Sequence, residues 1–151
     1  MTALVRRYLK TAIFFLIVGL ALGAWAMVQR ELGRTFPGTF LISAHTHAIL
    51  VGFVMLMILG VAQWMFPRPS KSDTQYSAKR AAVAYWLVTL GTAARVFGEL
   101  LRSGNSALWL RWTILLSGFA QIAGLSLFFY NMWSRIRAVG SELREKSGEQ
   151  F

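Results

Sequence analysis

Four long apolar runs, separated by short polar segments, dominate the hydropathy pattern of this 151-residue chain. A run of about 20 residues, rising about 1.5 Å per residue, is long enough to cross the hydrocarbon core of a bilayer. We therefore predict an all-α fold, an integral membrane four-helix bundle that forms a single transmembrane domain over residues 1–151. The predicted spans are 11–28, 40–66, 81–101 and 106–133. A charged cytoplasmic tail is predicted at 134–151.

The first apolar run has features of both a signal peptide and a membrane helix. The sequence Gln29-Arg30-Glu31-Leu32 that follows it does not resemble a small-residue cleavage site, so we expect a retained first helix. Within this run Gly19 and Gly23 are four residues apart and share one helix face. This spacing favours close approach of a second helix.

Composition agrees with a membrane protein and excludes several kinds of site. Hydrophobic residues make up 56% of the chain and charged residues 15%, and the mean hydropathy is +0.50. The absence of cysteine excludes disulfides, cysteine zinc sites, thioether-linked haem and iron–sulfur clusters.

The net charge of +10 is distributed in short basic segments between the apolar runs. This distribution is typical of cytoplasmic loops and argues against a nucleic-acid partner. The N-terminus, the second loop and the tail together carry 11 basic residues, whereas the opposite side carries four. We therefore predict the cell inner membrane as the location, with both termini cytoplasmic and the lipid bilayer as the immediate partner.

Both histidines, His45 and His47, lie at the head of the second apolar run. An imidazole at membrane depth needs a partner and is a candidate functional residue. If the run is a regular α-helix, one face carries His45 together with Gly52, Leu56, Leu59, Gly60 and Gln63. The glycines would leave a flat slot for a planar macrocycle, with His47 pointing about 160° away. The alternative is that the histidines are interfacial polar residues bonded to neighbouring carbonyls.

The third run contains Arg95 and Glu99, which are four residues apart and can pair along the helix. Haem propionates are another reason for arginine at this depth, because carboxylates favour bidentate guanidinium partners. The predicted donors on the outer side are Arg95, Arg102, Arg111, Arg30 and Arg34. The methionines are read mainly as packing residues, although one of them is a candidate second axial ligand.

The second run carries His45, Gly60 and the sequence Trp64-Met65-Phe66-Pro67-Arg68, and the third carries Tyr85-Trp86 and Gly91 to Arg95. With these features the two runs resemble the catalytic subunit of haem–copper oxidases and nitric oxide reductases. The resemblance covers roughly residues 40–100. It implies that His45 is an axial ligand of haem b, with His47 as the fallback. The family's other histidine ligands have no counterparts here, so reduction of oxygen or nitric oxide is not predicted from this chain alone.

We predict a b-type haem protein that acts in electron transfer or in gas binding and sensing. The alternative is an accessory or assembly subunit of a respiratory oxidase, or a protein that handles copper through His45 and His47. A homo-oligomer, most simply a dimer, would supply the second axial ligand that one chain lacks. A respiratory redox partner or a quinone would be the other partner. A small transporter is less consistent with the sequence, because paired broken helices are missing.

Overall fold

The computed structural model describes four long helices, and each is long and apolar enough to cross a membrane. The described residues are 2–33, 36–69, 73–137 and 147–148, and within them there are helices but no strands. The prediction of an all-α membrane protein is confirmed. Most of the predicted tail lies outside the described residues, as does Arg34.

Three of the four helices extend beyond the predicted span at one end or at both, whereas the α-helical part of the fourth lies within its predicted span. Their bounds are Ala3–Glu31, Thr39–Met65, Ala78–Arg102 and Leu108–Met132. A single 3₁₀ turn, Trp133–Arg135, continues the fourth helix. Thr2 caps the first helix by accepting a hydrogen bond from the N–H of Val5.

The second helix is not a regular α-helix. It is α-helical over Thr39–Thr46, π-helical over His47–Met55 and α-helical again over Leu56–Met65. The prediction of a regular α-helix is therefore wrong over the middle third of this span. π-Helical stretches are rare in proteins, and those that occur are often found at functional sites. This one begins at His47.

The second and third helices lie at the centre of the arrangement. The second packs against the first and third, and the third forms its most extensive contact with the fourth. At the end of the bundle where the first helix begins, all four helices share one core, in which the ring of Tyr8 contacts those of Tyr85 and Phe128 at centroid distances of 4.9 and 6.2 Å. Large apolar side chains such as Phe14, Phe97 and Phe119 face outward, as expected for a lipid environment.

Arg135 joins the C-terminal ends of the second and fourth helices. Its guanidinium is buried and donates hydrogen bonds to the backbone oxygens of Gln63, Phe66 and Pro67 at 2.8 to 3.1 Å. The last carbonyls of a helix have no partners within that helix, and Pro67 prevents its continuation. Arg135 therefore completes the C-terminal end of the second helix from a distant part of the chain.

Candidate functional site

His45 lies against the first helix. Its Nδ1 is 2.8 Å from the backbone oxygen of Gly19. A carbonyl oxygen only accepts hydrogen bonds, so Nδ1 carries the proton and donates it. In the neutral imidazole, Nε2 is then the atom with a free lone pair. The side chain thus has a fixed tautomer as well as a fixed position.

Gly23 makes room for the ring of His45. A Cβ added at Gly23 would lie 2.8 Å from Cε1 of His45, which is too close for a real contact. The other glycine of the pair, Gly19, is packed against Ile49 of the second helix. The predicted close helix approach at these glycines is confirmed. Their role in holding His45 was not predicted, although the sequence already placed both glycines on one helix face at a depth similar to that of His45.

A cavity of about 280 Å³ adjoins His45. It lies where the end of the first helix meets the start of the second. Its lining residues are Gly23, Ala26, Met27, Arg30, Phe36, Pro37, Ile42 and His45. Met27 and Phe36 are largely exposed, so the cavity opens toward the surroundings of the chain.

His47 faces the third helix instead. Its Nδ1 is 2.9 Å from the backbone oxygen of Ser43, one turn earlier, and 3.6 Å from Oε2 of Glu99. The two histidines therefore occupy different environments, as predicted. Both also donate to a backbone carbonyl, as the alternative interpretation expected. In each ring that hydrogen bond involves Nδ1 and not Nε2.

Glu99 is the centre of a buried polar cluster. Its side chain is 3% exposed, and Oε1 accepts hydrogen bonds from Nε of Arg95 at 2.9 Å and from Oγ of Ser43 at 2.8 Å. The pairing of Arg95 with Glu99 was one of the predicted alternatives. The contribution of Ser43 was missed, although it lies four residues before His47 and so shares its helix face. Oε2 of Glu99 is buried without a hydrogen-bond partner.

The arginines predicted as propionate partners divide between two places. Arg95, Arg102 and Arg111 line one cavity of about 560 Å³ beside the third and fourth helices. Arg30 lines the cavity beside His45 and pairs with Glu31 at 2.6 Å. Within the described residues, the three clustered arginines and His45 are therefore in separate cavities.

The glycine face of the second helix is covered by the first helix. A Cβ at Gly52 would collide with the ring of Phe15, and one at Gly60 would lie 2.8 Å from Cβ of Tyr8. The open slot predicted beside these glycines is thus filled by side chains of the same chain. A macrocycle has no room there unless the first helix moves away.

The family model described as Cytochrome C and Quinol oxidase polypeptide I matches residues 3–147. The chain belongs to this family. The match includes all four helices and extends well beyond residues 40–100, on which the predicted resemblance rested. No curated protein and no solved structure gives a significant match.

Proteins of the polypeptide I family normally bind haems and copper. His45 has the geometry expected of a metal ligand, since a ligating histidine usually donates its other ring N–H to a carbonyl or carboxylate. Within the described ranges, no three His, Cys, Asp or Glu side chains are grouped so that they could hold a metal ion.

Proposed function

We propose that this polypeptide I relative binds b-type haem through Nε2 of His45 and acts in membrane electron transfer. The supporting observation is the hydrogen bond from Nδ1 of His45 to Gly19, which directs the proton away from Nε2. Haem, when bound, supplies a one-electron carrier. The chain's own contribution is to hold the imidazole in one orientation between two helices.

The size of the cavity supports a homodimer. A volume of about 280 Å³ lies just below the range of roughly 300–1,000 Å³ that is usual for pockets enclosing small ligands. A group as large as haem would extend beyond this chain's side chains, so a second copy would cover the remainder. Two-fold symmetry is the commonest arrangement and would also bring a second His45. Met27, in the same cavity, is the other candidate for the second axial ligand.

The haem content of the purified full chain tests this proposal. We expect a Soret band and a pyridine haemochrome spectrum of b-type haem, with at least one haem per dimer in native mass spectrometry. Full-length, helical protein that stays free of haem after expression with excess haem precursor would contradict the proposal. That result would favour the accessory or copper-handling alternative.

Gas binding or sensing is the second function that these residues support. Within the described part of the chain, no second histidine faces the cavity beside His45. A single axial ligand would leave one side of the iron open. Rapid binding of carbon monoxide to the reduced protein would favour this function over electron transfer. A six-coordinate spectrum that carbon monoxide leaves unchanged would favour electron transfer to a respiratory partner or a quinone.

We further propose that the chain lies in the inner membrane with both termini in the cytoplasm, so that His45 and His47 are near the outer face. The excess of basic residues on the terminal side supports this orientation. A reporter active only in the periplasm should be silent after Phe151 and active when inserted at Gly33. The reverse pattern would place the histidines near the cytoplasmic face.

A further inference from the structure

The cavity with three arginines has features that the proposed haem site at His45 does not use. Arg95 lies deepest, with Nη1 2.8 Å from the position of a Cβ at Gly118, so its guanidinium rests on bare backbone. Arg102 is placed over the ring of Phe40 at 5.6 Å and donates to the backbone oxygen of Asn105 at 3.2 Å. Both therefore have defined positions at this end of the molecule.

The charges in this cavity are only partly balanced. Arg95 is paired through Nε with Glu99. Arg102 has neutral partners, and Arg111 forms no hydrogen bond or ion pair with the described residues. The positive charges of Arg102 and Arg111 thus have no carboxylate partner among the described residues. Charges of one sign in a low-dielectric surround attract a counter-charge strongly.

The rest of the cavity is apolar and extends toward the middle of the bilayer. Arg111, Leu115, Gly118 and Ile122 follow one stripe of the fourth helix, which descends roughly 16 Å along the axis. Leu115 and Ile122 are 47% and 62% exposed, so the stripe is open to lipid. The cavity is cationic at one end and apolar along the rest of its length, which matches the headgroup and acyl chain of a membrane lipid.

We propose that this cavity binds an anionic phospholipid, with its phosphate between Arg102 and Arg111 and an acyl chain along the stripe from Leu115 to Ile122. Guanidinium groups recognise phosphate oxygens through charge-assisted, often bidentate hydrogen bonds. A zwitterionic lipid fits less well, because its ammonium group would enter a site that already has two uncompensated positive charges. The proposal does not depend on the binding of haem.

Native mass spectrometry of the full chain, purified in detergent and supplied with phosphatidylglycerol or phosphatidylcholine of identical acyl chains, tests this inference. We expect one phosphatidylglycerol to be retained at collision energies that remove phosphatidylcholine. Arg111→Gln should lower phosphatidylglycerol retention about tenfold, the loss expected for one charge-assisted contact, and R102Q with R111Q should abolish the preference. Arg7→Gln, at an exposed arginine of the first helix that lines neither cavity, is the control and should leave the lipid preference unchanged.

Two results of these retention and absorbance measurements would overturn the inference. One is equal retention of the two lipids, or unchanged retention in the double variant with normal helicity by circular dichroism. The other is loss of Soret absorbance in the double variant while the lipid preference remains, which would assign the arginines to haem propionates. Competition by millimolar inorganic phosphate distinguishes the source of the phosphate. Displacement of the lipid by phosphate alone would mean that the apolar stripe contributes nothing, and this too would contradict a lipid site.

Discussion

The two half-buried histidines of the second helix lie on different faces and have different surroundings. On the face toward the first helix, His45 donates to the backbone oxygen of Gly19, and its ring lies against Gly23. On the face toward the third helix, His47 lies beside Glu99, whose other oxygen is paired with Arg95. Residues two apart in sequence thus lie in a neutral and in a charged interface.

This difference suggests a division of roles between the histidines. An imidazole held by a carbonyl of a neighbouring helix suits a metal ligand, because a ligating histidine usually donates its other ring N–H to such a group. An imidazole 3.6 Å from a buried carboxylate that is itself paired with Arg95 suits a structural polar cluster. The variants below test whether the two interfaces are as different as these contacts imply.

The largest expected difference is in haem content. His45→Ala removes the proposed ligand and should abolish haem binding, whereas His47→Ala should leave most of it. Pyridine haemochrome analysis of both variants, normalised to protein, measures the contrast. Equal losses in the two variants would remove the functional distinction between the faces.

Gly52→Leu tests the packing of the neutral face. A branched side chain would collide with Phe15 and force the first and second helices apart, at a cost of about 1–3 kcal/mol for overpacking. We expect a lower unfolding temperature in detergent. Gly104→Leu, at a position with no atoms within 4 Å, is the control and should leave stability unchanged. An unchanged unfolding temperature for Gly52→Leu would mean that the first helix is not held against this face.

Glu99→Gln tests the charged face. The variant keeps the shape of the side chain but leaves Arg95 without its anion, at a cost of about 2 kcal/mol for a hydrogen bond to a charged group. Chemical unfolding should show this loss, while haem content should change little. A variant with full stability but no haem would show that the charged face, rather than His45, controls the cofactor.

Gly23→Ala should have the smallest effect of these variants, and it is the most specific test of how His45 is positioned. The added methyl group would push the ring of His45 away from the first helix, with little change in overall packing. We expect haem affinity to fall about tenfold, equivalent to roughly 1.4 kcal/mol. Gly118→Ala, whose methyl group would meet only the tip of Arg95, serves as the comparison. A larger loss of haem in Gly118→Ala would place the cofactor near the arginines instead.

Much of the fold could be predicted from the sequence, because hydropathy alone identifies four apolar helices of spanning length. Parts of the site could be predicted as well. The four-residue spacings of Gly19 with Gly23 and of Arg95 with Glu99 each predicted a contact on one helix face. The family relation was also visible in the second run and is confirmed over residues 3–147.

The π-helical stretch His47–Met55 could not have been predicted from periodicity. Apart from His47 its residues are all apolar or glycine, so an α-helical and a π-helical period fit the pattern equally well. The covering of Gly52 and Gly60 by Phe15 and Tyr8 depends on which helix packs there. A bare glycine face is the same in sequence whether a cofactor or another helix lies on it.

The contact of Arg135 with the end of the second helix has a consequence for biogenesis. The carbonyl oxygens of Gln63, Phe66 and Pro67 are made about 70 residues before the guanidinium that they accept hydrogen bonds from. During synthesis the C-terminal end of the second helix is therefore made before the side chain that completes its hydrogen bonding. It reaches its final hydrogen bonding only when the fourth helix has been inserted and its last turn has left the ribosome.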